Sequence, residues 1–300
     1  PRSARHAAPV PPQPTRPAAL HGRLFRGSAA VRDGHLTQAQ LRTRAWVRLF
    51  PDVYACASLP VTHALRATAA ARLLLPGSVV SGRSAATCWS VAVAEPDDDV
   101  ELLVPTTCRA GAAHGLRVRR AALDPAEVRR LRGTPVTSPV RTALDLARTR
   151  PLVEAVVLVD QLTQGGVADL TAVRSAATLL AGRDCRWVRR VVALADGLAG
   201  SPQETRLRLL IGDSDLPAPV AQHTVRSGGR FVARVDLAWP EHRLGLEYDG
   251  LWHAEPGRFA ADRQRLNRLL AAGWRVLFVT AGDLRRPEAL LGRIAAALAG

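Results

Sequence analysis

Helical and strand patterns alternate through residues 201–300, and this order constrains the fold more than any other feature of the sequence. Six elements are predicted there, a helix, two strands, a helix, a strand and a helix, at 201–212, 231–238, 243–248, 259–272, 274–280 and 287–298. Gly273 is a typical helix stop between the fourth and fifth elements. Strands that alternate with helices form a sheet with helices packed on it. Residues 198–300 are therefore predicted to be an α/β domain with a small mixed sheet.

Each of the two middle strands of this domain carries a carboxylate. Because side chains alternate between the faces of a strand, Asp236 is predicted to point away from Val235 and Leu237. A four-residue loop at 239–242 would place Asp236 opposite Gly245, with Glu247 diagonally across on the same face. Gly245 has no side chain and would leave the space beside Asp236 open.

Two carboxylates on one sheet face repel each other, which costs free energy. A divalent cation such as Mg²⁺ or Mn²⁺ would relieve this repulsion, since Mg²⁺ prefers oxygen ligands. The bound ion could orient a water for attack on phosphorus. Alternatively, both carboxylates face solvent and pair with Arg234 or Arg243.

The same residues carry a resemblance to a known family. Its elements are Glu204, Gln222, Arg234-Val235-Asp236, Leu246-Glu247-Tyr248-Asp249-Gly250, Trp252-His253, Asp262-Arg263 and Gly273-Trp274-Arg275-Val276-Leu277. In order and spacing these resemble the PD-(D/E)XK nuclease superfamily, and in particular its very-short-patch-repair endonuclease-like domains. The resemblance implies a restriction-endonuclease-like core and Mg²⁺-dependent cleavage of phosphodiester bonds. It makes Asp236 and Glu247 the metal ligands.

One residue departs from the superfamily pattern. The lysine of the pattern would fall at 249, where this sequence has Asp. The repair-endonuclease branch also lacks that lysine and uses histidines near the glycine, so His253 is the candidate substitute, as a general base or as a group that positions the water. Glu204 has two interpretations, a metal-binding acid or the third residue of a capping box with Ser201. The candidate catalytic residues are Asp236, Glu247, Asp249, His253 and Glu204.

A second set of residues is expected to support the site. Asp262 falls on the same helical stripe as Leu266 and Leu269, so its carboxylate needs a partner, which Arg265 or Gln222 would supply. These three polar residues, Gln222, Asp262 and Arg265, are assigned structural or supporting roles. Arg234, Arg263 and Arg268 are candidates for contact with DNA phosphates.

The charge of the chain indicates a polyanionic partner. The sequence has 41 basic residues against 26 acidic ones, a net charge of +15. All 41 of these basic residues are Arg and no Met occurs, which fits a GC-rich coding sequence. A GC-rich coding sequence explains the choice of Arg over Lys, but it does not explain the excess of basic over acidic residues. Such an excess favours DNA through counterion release. The four cysteines are too scattered for a zinc site. No long apolar segment or leader is visible, so we expect no membrane association and a cytoplasmic location.

The first two thirds of the chain are divided into three parts. Residues 1–20 are proline-rich and are predicted to be a disordered tail. Residues 21–58, with a capping-box pattern at Thr37 and Gln40 before a hairpin, are predicted to be a partial winged-helix-like unit. Residues 59–197 are predicted to be an α+β middle domain without a catalytic constellation.

This region is similar to proteins with an abortive-infection type IV antitoxin domain. The similarity rests on three stretches, Leu36-Thr37 to Tyr54-Ala55, Ser84-Ala85-Ala86 and Arg141-Thr142-Ala143-Leu144-Asp145. In those proteins a winged helix contacts DNA. Two functions are therefore expected, a metal-dependent DNA endonuclease or a non-catalytic DNA-binding transcriptional regulator with a degenerate nuclease domain. A protein that uses its basic surface to bind an acidic partner is a third possibility.

Overall fold

The computed structural model describes residues 16–109, 114–249 and 258–300, with 258–260 described by their main chain alone. The chain divides into two compact units, 1–138 and 139–300. Both contain mixed α/β structure with helices beside sheets, which confirms the α/β class. In the part of the chain that the structure describes, no helix is long and apolar enough to span a membrane.

The first unit begins with a three-stranded antiparallel sheet in the order β1-β3-β2. Its elements are β1 (Leu24–Arg26), α1 (Gly27–Arg32), a 3₁₀ turn (Gln40–Arg42), β2 (Trp46–Phe50) and β3 (Val53–Cys56). The predicted capping box forms, because the Thr37 N–H donates to Gln40 Oε1 at 2.7 Å and the Gln40 N–H to Thr37 Oγ1 at 3.2 Å. The predicted hairpin is confirmed, whereas β1 was not foreseen.

A five-stranded mixed sheet completes the first unit, in the order β6-β5-β4-β8-β7. Its elements are α2 (His63–Ala69, continued by a π-helical turn to Leu74), β4 (Val79–Val80), α3 (Gly82–Cys88), β5 (Val100–Val104), β6 (Leu116–Arg120), β7 (Val128–Leu131) and β8 (Thr134–Thr137). A buried pair links its two helices, because His63 Nε2 and Ser84 Oγ lie 2.7 Å apart with both residues inaccessible. His63 is therefore a buried core residue whose ring is held by a hydrogen bond to Ser84.

The second unit begins with four helices and ends with a four-stranded sheet in the order β12-β11-β10-β9. The helices are α4 (Pro139–Leu146), α5 (Leu152–Gln164), α6 (Leu170–Leu179) and α7 (Cys185–Leu194). The sheet region contains α8 (Pro202–Gly212), β9 (Val220–Ser227), β10 (Arg230–Trp239), β11 (Leu244–Tyr248), α9 (Arg258–Ala271), β12 (Arg275–Val279), α10 (Ala281–Leu284) and α11 (Pro287–Ala299). All six predicted elements are present, and β9 and α10 are additional.

Two apolar clusters hold the helices against this sheet. One joins Leu207 of α8 and Ile294 of α11 to Leu237 and Leu246 of the central strands. The other joins Leu269 of α9 to residues of β9 and β10. Helices therefore cover both faces of the sheet, with α8 and α11 on one face and α9 on the other.

A buried carboxylate connects the four helices to α8. Asp160 of α5 is fully inaccessible and accepts hydrogen bonds from the main-chain N–H groups of Asp196 and Gly197, at 2.9 and 3.0 Å. Its other oxygen accepts from Thr205 Oγ1 at 2.9 Å and Arg208 Nη2 at 2.8 Å, both on α8. These hydrogen bonds cross the predicted boundary at 197/198, and both sides of that boundary lie in the compact unit 139–300.

Candidate active site

The two central strands of the second unit separate where their carboxylates lie. β10 and β11 pair through Trp239–Leu244, Ala238–Gly245 and Leu237–Leu246, and their pairing ends there. The next residues on the two strands are Asp236 and Glu247. The Tyr248 N–H points back towards β10, where Asp236 Oδ2 accepts its hydrogen bond at 2.9 Å. A side chain thus replaces a main-chain acceptor, and the strands part at the acidic residues.

The pairing register corrects the predicted role of Gly245. The predicted loop at 239–242 is wrong by one residue, because Arg243 adopts a left-handed conformation with φ of 45° and extends the turn that begins at Pro240. Gly245 therefore lies opposite Ala238 and not opposite Asp236. A Cβ atom at Gly245 would lie 3.3 Å from Val235 Cγ1, so the glycine makes room for that valine.

The strand faces also differ from simple alternation. Val235 packs in the apolar cluster with Leu269, whereas Leu237 packs in the opposite cluster with Leu246. The prediction that Val235 and Leu237 share a face is therefore wrong. The interruption coincides with Gln222 on β9, whose φ of 50° is unusual for a residue other than glycine. This irregularity places Asp236 at the boundary between the two faces.

Gln222 links the two acidic residues of neighbouring elements. Its Nε2 donates to Glu204 Oε2 at 2.9 Å, and its side chain also hydrogen bonds the Asp236 carboxyl. Glu204 is the third residue of α8, where the Ser201 hydroxyl accepts its main-chain N–H at 3.3 Å. The expected return bond to Ser201 is replaced by one from the Gly200 N–H to Glu204 Oε2 at 2.8 Å. Glu204 therefore both caps the helix and faces Asp236.

Burial raises the pKa of the Asp236 carboxyl, and the negative charge of Glu204 raises this pKa further. The hydrogen bonds from Tyr248 and Gln222 and the charge of Arg265 oppose the shift. Carboxylates whose pKa is perturbed by burial and by a specific charged neighbour cluster at functional sites, which makes Asp236 a candidate.

Replacing Glu204 by Gln is expected to lower the pKa of Asp236, because the substitution removes a negative charge and keeps the shape of the side chain. A carboxyl ¹³C titration by NMR would measure the change. Glu241→Gln, at an exposed turn position, is the matched control and should leave the pKa of Asp236 unaltered. An unchanged pKa in Glu204→Gln would show that the two carboxylates are not coupled.

Arg265 of α9 neutralises Glu247. Its two terminal nitrogens donate to the two oxygens of the buried Glu247 carboxylate, a bidentate pair. The hydrogen bond to Glu247 raises the pKa of Arg265, and the charge of Asp236 contributes in the same direction. Asp236 and Glu247 therefore act on the same guanidinium group. Glu247 thus pairs with Arg265, and not with Arg234 or Arg243 as the alternative interpretation expected.

A pocket of about 510 Å³ opens beside this pair and contains two further acidic residues. Its polar lining comprises Glu247, Asp249, Asp262, Arg263 and Arg265. Asp249 is exposed, and its N–H donates to Val279 O at 2.8 Å. The expectation that Asp262 lies on a buried stripe is wrong, because residues 261–264 are all exposed and its side chain is 72% accessible. It lies 4.0 Å from Arg265, one of the two partners expected for it.

The candidate phosphate contacts are accessible. Arg234 on β10 and Arg263 and Arg268 on α9 are exposed, and the Arg234 carbonyl accepts a long hydrogen bond of 3.5 Å from Arg265. His253 lies outside the described residues. Among the residues that are described, no group of three or more His, Cys, Asp or Glu side chains is arranged to hold a metal ion. The acidic residues that come together are Asp236 and Glu204, both joined to Gln222, whereas Glu247 is paired with Arg265.

Sequence reasoning did not foresee the part played by the Tyr248 main chain or the central position of Arg265. The spacing of Asp262 and Arg265 was a signal for the second, since residues three apart are neighbours on a helix. The left-handed backbone at Gln222 leaves no trace in the sequence.

Comparisons with known proteins give distant relatives. No family model matches the chain. The uncharacterized proteins Rv2248 and MT2308, from two strains of Mycobacterium tuberculosis, are each 32% identical over 176 residues, which are 58% of this chain and 64% of theirs. The chain thus spans less than two thirds of the length of these relatives. The crystal structure of the Rv2827c protein from Mycobacterium tuberculosis has a TM-score of 0.36 and 14% identity, over 67% of this chain and 77% of that one, a similarity too low to establish a shared fold.

Proposed function

We propose that the chain is a metal-dependent DNA endonuclease that hydrolyses phosphodiester bonds. Asp236 and Glu247 are its proposed metal ligands. The observation that carries the proposal is the convergence of carboxylates in a strongly basic chain. Asp236 is partly buried beside Glu204, and Glu247 is buried at the edge of a pocket that Asp249 and Asp262 also line. Repulsion between Asp236 and Glu204 costs free energy that a bound cation would offset.

A magnesium site made by two carboxylates agrees with this donor set. Mg²⁺ usually keeps several waters and binds through one or two carboxylates together with substrate phosphate. Asp236 and Glu247, whose charges both act on the Arg265 guanidinium, would be the ligands. A bound ion would supply charge neutralisation at the phosphate and a water of lowered pKa. Arg265 would have to release an oxygen of Glu247 for the ion to bind.

The other residues would hold the site and the substrate. Gln222 fixes Glu204 and Asp236 through its amide, and Asp236 is held by the Tyr248 N–H. Asp249 and Asp262 at the pocket would bind water at its entrance. Within this proposal, residues 198–300 form a restriction-endonuclease-like core, and Arg234, Arg263 and Arg268 contact phosphates. His253 keeps its proposed role as general base.

Cleavage of supercoiled plasmid tests this function. The wild-type chain with Mg²⁺ or Mn²⁺ is expected to nick the plasmid at least about 100-fold faster than Asp236→Ala, because a metal ligand contributes several kcal/mol to the transition state. Asp215→Ala, at an exposed position after α8, should retain wild-type activity. Circular dichroism and thermal unfolding would establish that Asp236→Ala is folded. Absence of nicking in every metal, or equal nicking by Asp236→Ala, would contradict the proposal.

A second function is favoured by the contact between Arg265 and Glu247. The guanidinium already neutralises one of the two ligands, and Asp249 stands where the superfamily has a lysine. Both features are expected of a DNA-binding transcriptional regulator of the type IV antitoxin type with a degenerate nuclease domain. The sheet of β1, β3 and β2 with α1 would then serve as a winged-helix-like contact with DNA. Salt-sensitive DNA binding without cleavage in any metal would favour this function over the first.

A further inference from the structure

Helix α7 presents a row of arginines on its exposed face. Val188, Val191 and Val192 are its buried residues, whereas Arg186, Arg189 and Arg190 are exposed. No acidic residue occurs between Cys185 and Leu194. Arg186 and Arg190 are four residues apart, so they are neighbours on one side of the helix, about 6 Å apart along its axis.

The two outer arginines of this row have no acidic partner among the described residues. Arg189 is engaged, because it donates to the carbonyl oxygens of Ala177, Thr178 and Leu180 at the end of α6. The acidic residues at the two ends of α7 are also engaged, Asp184 with Arg150 at 3.1 Å and Asp196 with Arg208 at 2.9 Å. In the part of the chain that the structure describes, Arg186 and Arg190 form no ion pair. Two like charges at this spacing destabilise a helix slightly.

The arginines of the neighbouring helix α8 are arranged differently from those of α7. On the neighbouring helix α8, Arg206 pairs with Glu154 at 2.8 Å and Arg208 pairs with the buried Asp160 at 2.8 Å. The two arginines that hold α8 to α5 are thus matched with acidic residues, whereas Arg186 and Arg190 on α7 are not.

The helix that carries the row is fixed in place. The Arg150 guanidinium lies 3.5 Å from the centre of the Trp187 ring and also pairs with Asp184 just before the helix. The three bonds from Arg189 hold α7 against the end of α6. A cationic row on an element that is already ordered loses little conformational freedom when it binds a ligand.

We propose that Arg186 and Arg190 form a second DNA-binding surface, which contacts backbone phosphates of duplex DNA apart from the carboxylate cluster. Phosphate is the partner that arginine side chains without acidic partners fit best. The inference rests on DNA as the ligand in the proposed function, but it does not require cleavage. Since the contacts are to the backbone, the surface would bind DNA of any sequence and would position the duplex on the second unit.

Equilibrium binding by the full chain tests this surface. The probe is a fluorescein-labelled 20-base-pair duplex of mixed sequence, followed by anisotropy between about 50 and 200 mM salt. The double variant Arg186→Ala/Arg190→Ala is expected to bind about tenfold more weakly and to reduce the slope of log K against log salt by about 2, one unit for each phosphate that is no longer neutralised. Arg285→Ala/Arg286→Ala removes the same charge at an exposed position elsewhere in the second unit and should bind like wild type.

The outcomes separate this inference from the proposed function. Equal losses of DNA affinity in both double variants, or no loss of affinity in the α7 variant, would overturn the inference about α7. Either result would leave the proposed function standing. If the wild-type chain does not bind the duplex, both fail. Equally tight binding of a polyglutamate competitor would also overturn the inference, because it would show a surface for acidic polypeptides in general. Circular dichroism would confirm that the variants are folded.

Discussion

Replacing Asp160 by Ala is expected to destabilise residues 139–300 by about 3–5 kcal/mol, the usual effect of removing one partner of a buried ion pair. Asp160 is fully inaccessible, and the substitution would leave Arg208, Thr205 and two main-chain N–H groups without their shared acceptor. Chemical denaturation with urea, followed by far-UV circular dichroism, would measure the loss.

Glu154→Gln on the same helix is the matched control. Glu154 also pairs with an arginine of α8, but its side chain is 41% exposed, so the loss is expected to stay below about 1 kcal/mol. If Asp160→Ala costs no more than this control, the network around Asp160 does not hold α5 to α8. The contact between α5 and α8 would then have to rest on the other residues that join the two helices.

Replacing Arg265 by Ala is expected to destabilise the second unit by about 2–3 kcal/mol in the absence of divalent cations. The substitution leaves the buried Glu247 carboxylate without its bidentate partner, and the value is below the usual range because Arg265 is 33% exposed. Added Mg²⁺ should then restore part of the loss, since a ligand that binds only the folded state stabilises by about 1.4 kcal/mol at ten times its Kd.

The wild-type chain should gain less stability from Mg²⁺ than Arg265→Ala does, because in the wild type the cation competes with the guanidinium. Arg268→Ala, at an exposed position on the same helix, should change stability by less than about 0.5 kcal/mol and show no added response to Mg²⁺. A variant that is destabilised but insensitive to divalent cations would show that Glu247 is not a metal ligand. That result would favour the regulator over the endonuclease.

The local elements of the second unit were predictable because their signals lie within a few residues. Ser201 before α8 and Gly273 after α9 mark helix ends, and the strands around Asp236 and Glu247 have apolar residues in alternate positions. β9 was not predicted, because Pro217-Ala218-Pro219 indicates a break and the residues that follow lack a regular alternation of apolar and polar side chains. An edge strand with only one partner tolerates such a sequence.

The details of the site depend on features that the sequence does not show. The register follows from a left-handed Arg243, and the change of face at Asp236 accompanies a left-handed Gln222. Neither residue type favours that conformation. The network around Asp160 joins residues 36 to 48 positions apart, a separation at which no periodicity predicts contact. The sequence singled out the acidic residues of the candidate site and Arg265 as a partner of Asp262, but it did not indicate the partners of Asp236 or Glu247.

The hydrogen bond from the Tyr248 amide to the Asp236 carboxyl gives the protein a spectroscopic reporter of its own. Any event that changes the charge on Asp236, whether proton uptake, cation binding or approach of a phosphate, alters the field at that amide nitrogen and its proton. A single cross-peak in a ¹⁵N spectrum would therefore follow occupancy of the site even in a variant, or under conditions, in which no turnover can be seen.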